Sequence, residues 1–322
     1  MVSVASWLAE MDGRRVVVEV PATTANLGAG YDCLAMALEL VNRVALEVRG
    51  WSRGGVELDV EGEGAGELPA DSGNRFVAGV EAAIRDARGE LPDGVGWRVE
   101  MQNRIPLARG LGSSAAATIG GLLAANVLLD GALSTADLLR LATAIEGHPD
   151  NAAAALLGGV VAAAALDDRV EAIRFDVPRG IRAVLFIPDL RLATDEMRRV
   201  LPDSVPRLDA VANLARVALG VAGLASGRRD VLRWLTEDRL HEPYRAAIYP
   251  QLPRLIADAR RAGAIGASLS GAGSTVIAFA DTVATVARVE AAFRAAAADT
   301  DLPGRVDFAK PRNTGARVVT AA

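Results

Sequence analysis

Short runs of β-branched residues bounded by Gly, Pro or Asp punctuate the first hundred positions: Val16–Val20, Val44–Val48, Val56–Val60 and Trp97–Met101. Runs of this length and composition predict strands. Asn74–Arg88 instead sets Phe76, Val77, Val80 and Ile84 on one side at helical spacing, with charges elsewhere. Ala115–Leu129 has almost no polar positions and predicts a buried helix. Ser134–Glu146 predicts another, opened by a Ser-Thr cap with Asp137 in its first turn, as the helix dipole prefers. Gly158–Ala165 reads as a buried strand. Asp32 ahead of the apolar Cys33–Leu40 reads as the cap of a helix over that segment.

The second half restarts the pattern. Ile181–Ile187 predicts a strand closed by Pro188, and Leu208–Leu224 a long helix. Helices are expected at Arg229–Leu235, Leu252–Ala262 and Val283–Ala297. Ala264–Ser270 and Thr275–Ala280 read as strands pivoting on Gly271–Gly273, with a last strand at Ala316–Thr320. Asp167–Arg179 is polar, contains Pro178, and is the least structured connection, so the domain boundary is placed there: 1–168 and 169–322. Strands and helices mixed without strict βα alternation argue for two α+β domains over a Rossmann fold.

Composition narrows the classes. The 322 residues are 51% hydrophobic and 23% charged, a globular profile with room for two cores. A net charge of −5 with no basic stripe excludes a nucleic-acid partner. Lys310 is the one lysine among 35 basic residues, a bias that reflects base composition more simply than thermal ion-pair networks. The single Cys33 excludes an internal disulfide and reads as a small core residue. Glu10 and Asp12 break the basic-then-apolar order of a signal peptide, and the apolar stretches Ala115–Leu129 and Ala152–Leu166 fall short of a membrane span. The expected place is the cytoplasm, with no membrane partner.

One loop carries chemistry. Pro106-Leu107-Ala108-Arg109-Gly110-Leu111-Gly112-Ser113-Ser114-Ala115-Ala116 joins a strand to an apolar helix. Gly110 and Gly112 allow backbone N–H groups to turn inward, and Ser113 and Ser114 add hydroxyls at a helix start, where N–H groups lack partners. Such a helix start binds anions, phosphate above all. The loop lacks the Gly-Lys-Ser/Thr ending of a Walker P-loop and any G-x-G-x-x-G fingerprint.

That run resembles the phosphate-binding motif of the GHMP kinases. Three further stretches are similar to the motifs of their homoserine kinase branch: Thr24–Asp32 within Pro21–Asp32, Glu146-Gly147-His148-Pro149-Asp150-Asn151, and Glu242–Arg245 followed by Leu269–Thr275. The resemblance spans residues 16–320 in order. It implies a ribosomal-protein-S5-like N-terminal domain, a ferredoxin-like C-terminal domain, and ATP-dependent phosphorylation of L-homoserine with Mg²⁺, the product feeding threonine synthesis. By the same resemblance Asn26 and Asp32 would hold the substrate amine, and Arg198 and Arg245 its carboxylate, with Thr194 and Gly271 beside them. Ser114 and Glu146 would bind the metal, Asn74 would lie at the adenine pocket, and Asn151, His148 and Asp150 would serve the reacting hydroxyl. A homodimer is the expected assembly. Ser274 stands where the family commonly has Pro, and Met197 follows Glu196 where relatives often have Ala or Thr.

Other readings stay open on the residues alone. Arg198 reads also as a solvated helix arginine, Arg245 as a surface partner of Glu242, His148 as a turn residue, Asp150 as shaping its turn, and Gly271–Gly273 as a hairpin-like turn. A GHMP kinase for a mevalonate- or shikimate-type alcohol is the alternative enzyme, disfavoured because a fixed Asp32 repels a substrate without a cation. A catalytically idle nucleotide-binding regulator is the other, and it predicts damage at Ser114, Glu146 or Asn151, all present.

Overall fold

The computed structural model describes residues 7, 10–49, 55–91, 95–167 and 169–322; most of the extreme N-terminal stretch read for a targeting signal lies outside them, as does residue 168 at the expected domain boundary. Two sheets organise these residues. The first runs β11-β1-β2-β4-β3, built from β1 (Arg15–Ala25), β2 (Leu34–Arg49), β3 (Gly55–Gly62), β4 (Gly96–Asn103) and β11 (Arg317–Ala321). β5 (Val160–Leu166) pairs with the near end of β2 and with β6 (Arg169–Phe175).

The helix expected at Cys33–Leu40 is instead the first half of β2. Residues 34–38 are buried, and β1 and β5 flank them. Leu, Ala and Met favour a helix in isolation, but a short unbroken apolar run does not distinguish a buried helix from a strand covered on both faces. Asp32 therefore caps no helix.

Four helices lie on this sheet: α1 (Arg75–Arg88), α2 (Ser113–Leu128), α3 (Thr135–Glu146) and α4 (Asp150–Leu157). α1 and α2 touch through glycines. A Cβ on Gly121 would stand 1.9 Å from the Phe76 carbonyl oxygen, and one on Gly79 2.5 Å from that of Thr118. With α1 this close on one side and β1 on another, α2 has no use for a polar face. α4 was missed from the sequence because its alanines blend into the strand that follows.

α5 (Thr194–Arg199), α6 (Arg207–Ala225), α7 (Leu232–Leu235) and α8 (Glu242–Arg245) lead to α9 (Leu252–Arg261) and α10 (Val283–Asp299). α7 is the only helical part of the expected Arg229–Leu235 helix. The second sheet is antiparallel in the order β10-β7-β9-β8, from β7 (Arg182–Pro188), β8 (Gly266–Leu269), β9 (Val276–Ala280) and β10 (Gly304–Ala309). That order is the ferredoxin-like one, and α9 and α10 close a core of Phe186, Leu255, Val276 and Phe293 against it. β10 was not read from the sequence because only one of its six residues, Ala309, is buried.

The boundary at 168/169 needs correcting. It falls inside the β5–β6 hairpin, where Leu166 pairs with Arg169 and Val160 with Phe175. Arg169, Glu171 and Arg174 look outward from an edge strand, so its polarity mimics a linker. We place the division after Phe175, with β11 crossing back to the first sheet.

α6 alone among the described helices is long and apolar enough to cross a membrane by length and composition, at mean hydropathy 1.5. Its polar side chains tie it to the rest of the protein. Arg216 pairs with Glu237, Asp209 with Arg239, and the buried Asn213 donates to Asp238 and to the Ala29 carbonyl.

Candidate active site

α1, α3 and α10 each begin with a side chain accepting a backbone N–H, from Asn74, Ser134 and Thr282 respectively. α2 does not. It starts at Gly112 in the left-handed conformation (φ 71°) with no side-chain cap. Three consecutive loop carbonyls are turned away from that start: Thr275 N donates to Arg109 O, Ser270 Oγ to Gly110 O, and Thr23 N to Leu111 O. The first-turn N–H groups of α2 are left for an outside anion. Arg109 points away from them, its side chain donating to the carbonyls of Pro188 and Asp189 and so tying the loop to β7.

The loop borders a cleft of about 680 Å³, counting its open mouth. Asn26, Asp32, Pro106, Ala108–Ala115, Glu146, His148, Asp150, Asn151, Thr194, Arg198, Arg245 and Gly271 all line it. Of the expected site residues, Asn74, Leu107 and Ala116 do not. Asn74 is buried and used at both ends, accepting from Phe76 N and donating to the Pro69 carbonyl. It shapes the turn before α1.

At one end of the cleft the Ser114 hydroxyl donates to Glu146 Oε1 at 2.9 Å. Thr118, one turn further along α2, donates to the same oxygen at 2.7 Å. Thr118 was not foreseen, although its spacing of four from Ser114 places it on the same helix face.

In the middle, Asp150 is 1% exposed and its Oδ1 accepts from Asn151 N at 2.6 Å and meets His148 Nδ1 at 2.7 Å. This hydrogen bond raises the His148 pKa against the opposing effect of burial. Asn151 Oδ1 accepts from the Thr23 hydroxyl at 2.7 Å. Asp150 opens α4 and is more than a turn-former, since it also aligns its two neighbours.

At the other end Arg198 and Asp32 form a bidentate ion pair, with Nη1–Oδ2 and Nη2–Oδ1 both at 2.8 Å. Arg198 Nη1 also donates to the Tyr31 hydroxyl at 2.9 Å. Two residues expected to hold opposite ends of a substrate thus hold each other. Arg198 nevertheless keeps its Nε–H and one Nη2–H, the side edge of the guanidinium, without a partner among the described residues. Asn26 spans the cleft floor, donating to Gly271 O at 2.9 Å and accepting from Asp32 N at 3.1 Å. Arg245 is 2% exposed, so it is no surface partner of Glu242. Cys33 is half-buried, and burial with the nearby Asp150 and Asp32 pushes its thiol up to about 11, which keeps it unreactive.

Comparison with known proteins identifies the family. Residues 75–159 match the GHMP kinases N terminal domain and residues 225–299 the GHMP kinases C terminal domain. The chain is 44% identical to the homoserine kinase of Moorella thermoacetica over 82% of its own length and 86% of that protein's. It is 39% identical to that of Caldicellulosiruptor bescii over 94% and 96%. Among solved structures, a homoserine kinase from Cytophaga hutchinsonii superposes with TM-score 0.83 at 28% identity, over 95% of this chain and 97% of that one.

Proposed function

The chain belongs to the GHMP kinases, in their homoserine kinase branch, and on that premise we propose how its cleft performs the ATP-dependent phosphorylation of the L-homoserine side-chain hydroxyl. The observation that carries the reading is the meeting, in one cleft, of an uncapped helix start and a frame of Asp32, Arg198 and Arg245. One end suits a nucleotide's phosphates. The other suits an amine beside a carboxylate.

Phosphoryl transfer asks the protein mainly for in-line positioning and neutralisation of charge. The N–H groups opening α2 and the Ser113 hydroxyl cradle the ATP phosphates; the one hydroxyl proton of Ser114 is already donated to Glu146. Ser114, Thr118 and Glu146 offer hard oxygens of the kind Mg²⁺ selects, but only one carboxylate, and no cluster of three acidic, His or Cys side chains exists among the described residues. That set fits a Mg²⁺ sharing its shell with nucleotide phosphate better than an all-protein cage. Mg²⁺ there would offset charge on the transferred group. Glu146→Gln should therefore raise the Mg²⁺ concentration for half-maximal rate at least about tenfold and lower kcat, as a Mg²⁺ titration would read. An unchanged Mg²⁺ dependence would remove Glu146 from the metal site.

The substrate carboxylate takes the free side edge of Arg198 and Arg245 Nη2, which has no partner among the described residues, and the amine takes Asp32. The Asp32–Arg198 pair need not open, because charge then alternates around the four groups. It also revises the argument against other alcohols: Asp32 is not a bare anion, so selectivity lies with the pair as a unit. Asn151 Nδ2 orients the hydroxyl, and Asp150, already bonded through Oδ1, aligns His148 and Asn151 while the hydroxyl proton passes to the phosphate itself. Asn74 does not line the cleft and would act on the adenine only through the turn it shapes before α1. The cytoplasm and a homodimer complete the proposal; exposed Leu208, Leu214 and Leu219 on α6 are the apolar surface such a partner would cover.

ADP release measured with L-homoserine, mevalonate, shikimate and galactose should show turnover of L-homoserine at least about a hundredfold above the others in kcat/KM. Preferred turnover of any of the other three would overturn the reading.

A further inference from the structure

A guanidinium can serve a small substrate only if its free edge is aimed, and Arg245 is aimed from behind. Its Nε donates to the Met197 carbonyl at 3.2 Å, and its Nη1 bonds His241 Nδ1 and Gly271 O, both at 3.0 Å. Three of its five N–H groups are thereby used. Nη2 has no partner among the described residues and is the nitrogen left for the cleft that Arg245 lines.

His241 makes this possible. A guanidinium only donates, so Nδ1 must accept and the ring proton must sit on Nε2, which donates to the Gly28 carbonyl at 2.8 Å. The ring is fully buried, and burial holds its pKa down to about 4 despite the Asp238 carboxylate 3.7 Å from Nε2. It is neutral, in one tautomer, and fixed at both nitrogens. Tyr31 covers the assembly, its ring centre 5.2 Å from that of His241 and 5.4 Å from the Arg245 guanidinium carbon. Arg198 lies over the same ring at 5.7 Å, so one tyrosine spaces both arginines.

Resting on the reading of the cleft as an L-homoserine site, we propose that His241 is a positioning residue for substrate affinity. It touches no substrate. It fixes the Arg245 guanidinium so that Nη2 meets the carboxylate, with Tyr31 as the shared wall. An apolar side chain of similar size would fill the space yet leave an Nη1–H unpaired in a sealed pocket, and the guanidinium would turn to satisfy it.

His241→Leu and His241→Asn test this through steady-state kinetics in both substrates and thermal melts. His241→Leu should raise KM for L-homoserine at least about tenfold and leave KM for ATP within about twofold. His241→Asn, whose Oδ1 can accept from Nη1, should recover most of that loss. A lower melting temperature with both KM values unchanged makes His241 a core residue and overturns the proposal, as does His241→Asn failing as badly as His241→Leu. If the leucine variant does not fold, the more pliant His241→Met is judged by the same criteria. The unsubstituted enzyme is the control: its turnover of L-homoserine tests the substrate reading, whereas the variants test the positioning alone.

Discussion

Gly112→Ala will lose at least about a hundredfold in kcat/KM, the scale of losing one preorganised donor to a charged transition state. Two causes coincide. Gly112 sits at φ 71°, where an L side chain costs about 1–3 kcal/mol. The added methyl would lie 1.9 Å from Thr23 Oγ1 and 3.2 Å from Asn151 Oδ1, so it displaces the hydrogen bond that orients Asn151 as well as the start of α2. Phosphate cradle and hydroxyl-orienting amide should fail together. The damage should appear in kcat and in KM for ATP, with a lowered melting temperature. A Thr23→Ala,Gly112→Ala double variant relieves the clash but not the φ strain, and should recover only part of the rate. Activity of Gly112→Ala within threefold of the parent would mean that the loop is not where phosphate is held.

Asp32→Asn should raise KM for L-homoserine on the order of 10- to 100-fold while KM for ATP stays within about twofold. The estimate follows from about 1.5–3 kcal/mol for a hydrogen bond to a charged group. Neutralising Asp32 does more than remove the amine's partner. Arg198 loses its counter-ion, and its full charge then faces the cleft. Selectivity should shift as a result: 4-hydroxybutyrate, with a carboxylate and hydroxyl but no amine, should gain on L-homoserine in kcat/KM. Measuring the ratio for both compounds in both enzymes checks this. An unchanged ratio would mean that Asp32 serves Arg198 alone and never meets an amine.

How much of this was legible depended on where the information lay. The loop that opens α2 could be read because an uncapped helix start needs small residues in one contiguous run, and Pro106–Ala116 supplies it. The two-domain α+β class was likewise visible in the alternation of strand and helix patterns. Residues 34–38 misled because their conformation is imposed by neighbouring strands and not by their own preferences. β6 misled in the opposite sense, as an edge strand polar enough to pass for a linker.

Asp32, Arg198 and Arg245 were expected together and do line one cleft, but the pairing of the first two across 166 positions of sequence was not expected. Tyr31 and His241 were not foreseen at all. Tyr31 acts through Arg198, Arg245 and His241, all far along the chain, and nothing in its immediate sequence announces them. His241 and Thr118 are different: His241 stands four residues before Arg245, as Thr118 stands four after Ser114, and that helical spacing was signal enough to find both.

The return of β11 to the first sheet bears on how the protein is made. Val18 pairs with Val318, 300 positions downstream, while the rest of that sheet is complete by Phe175. During synthesis the outer edge of β1 must therefore wait, unpaired, while the whole second sheet is translated. An exposed edge of this kind is a template for pairing with other chains. A nearly finished domain thus carries one open seam until residues 317–321 emerge.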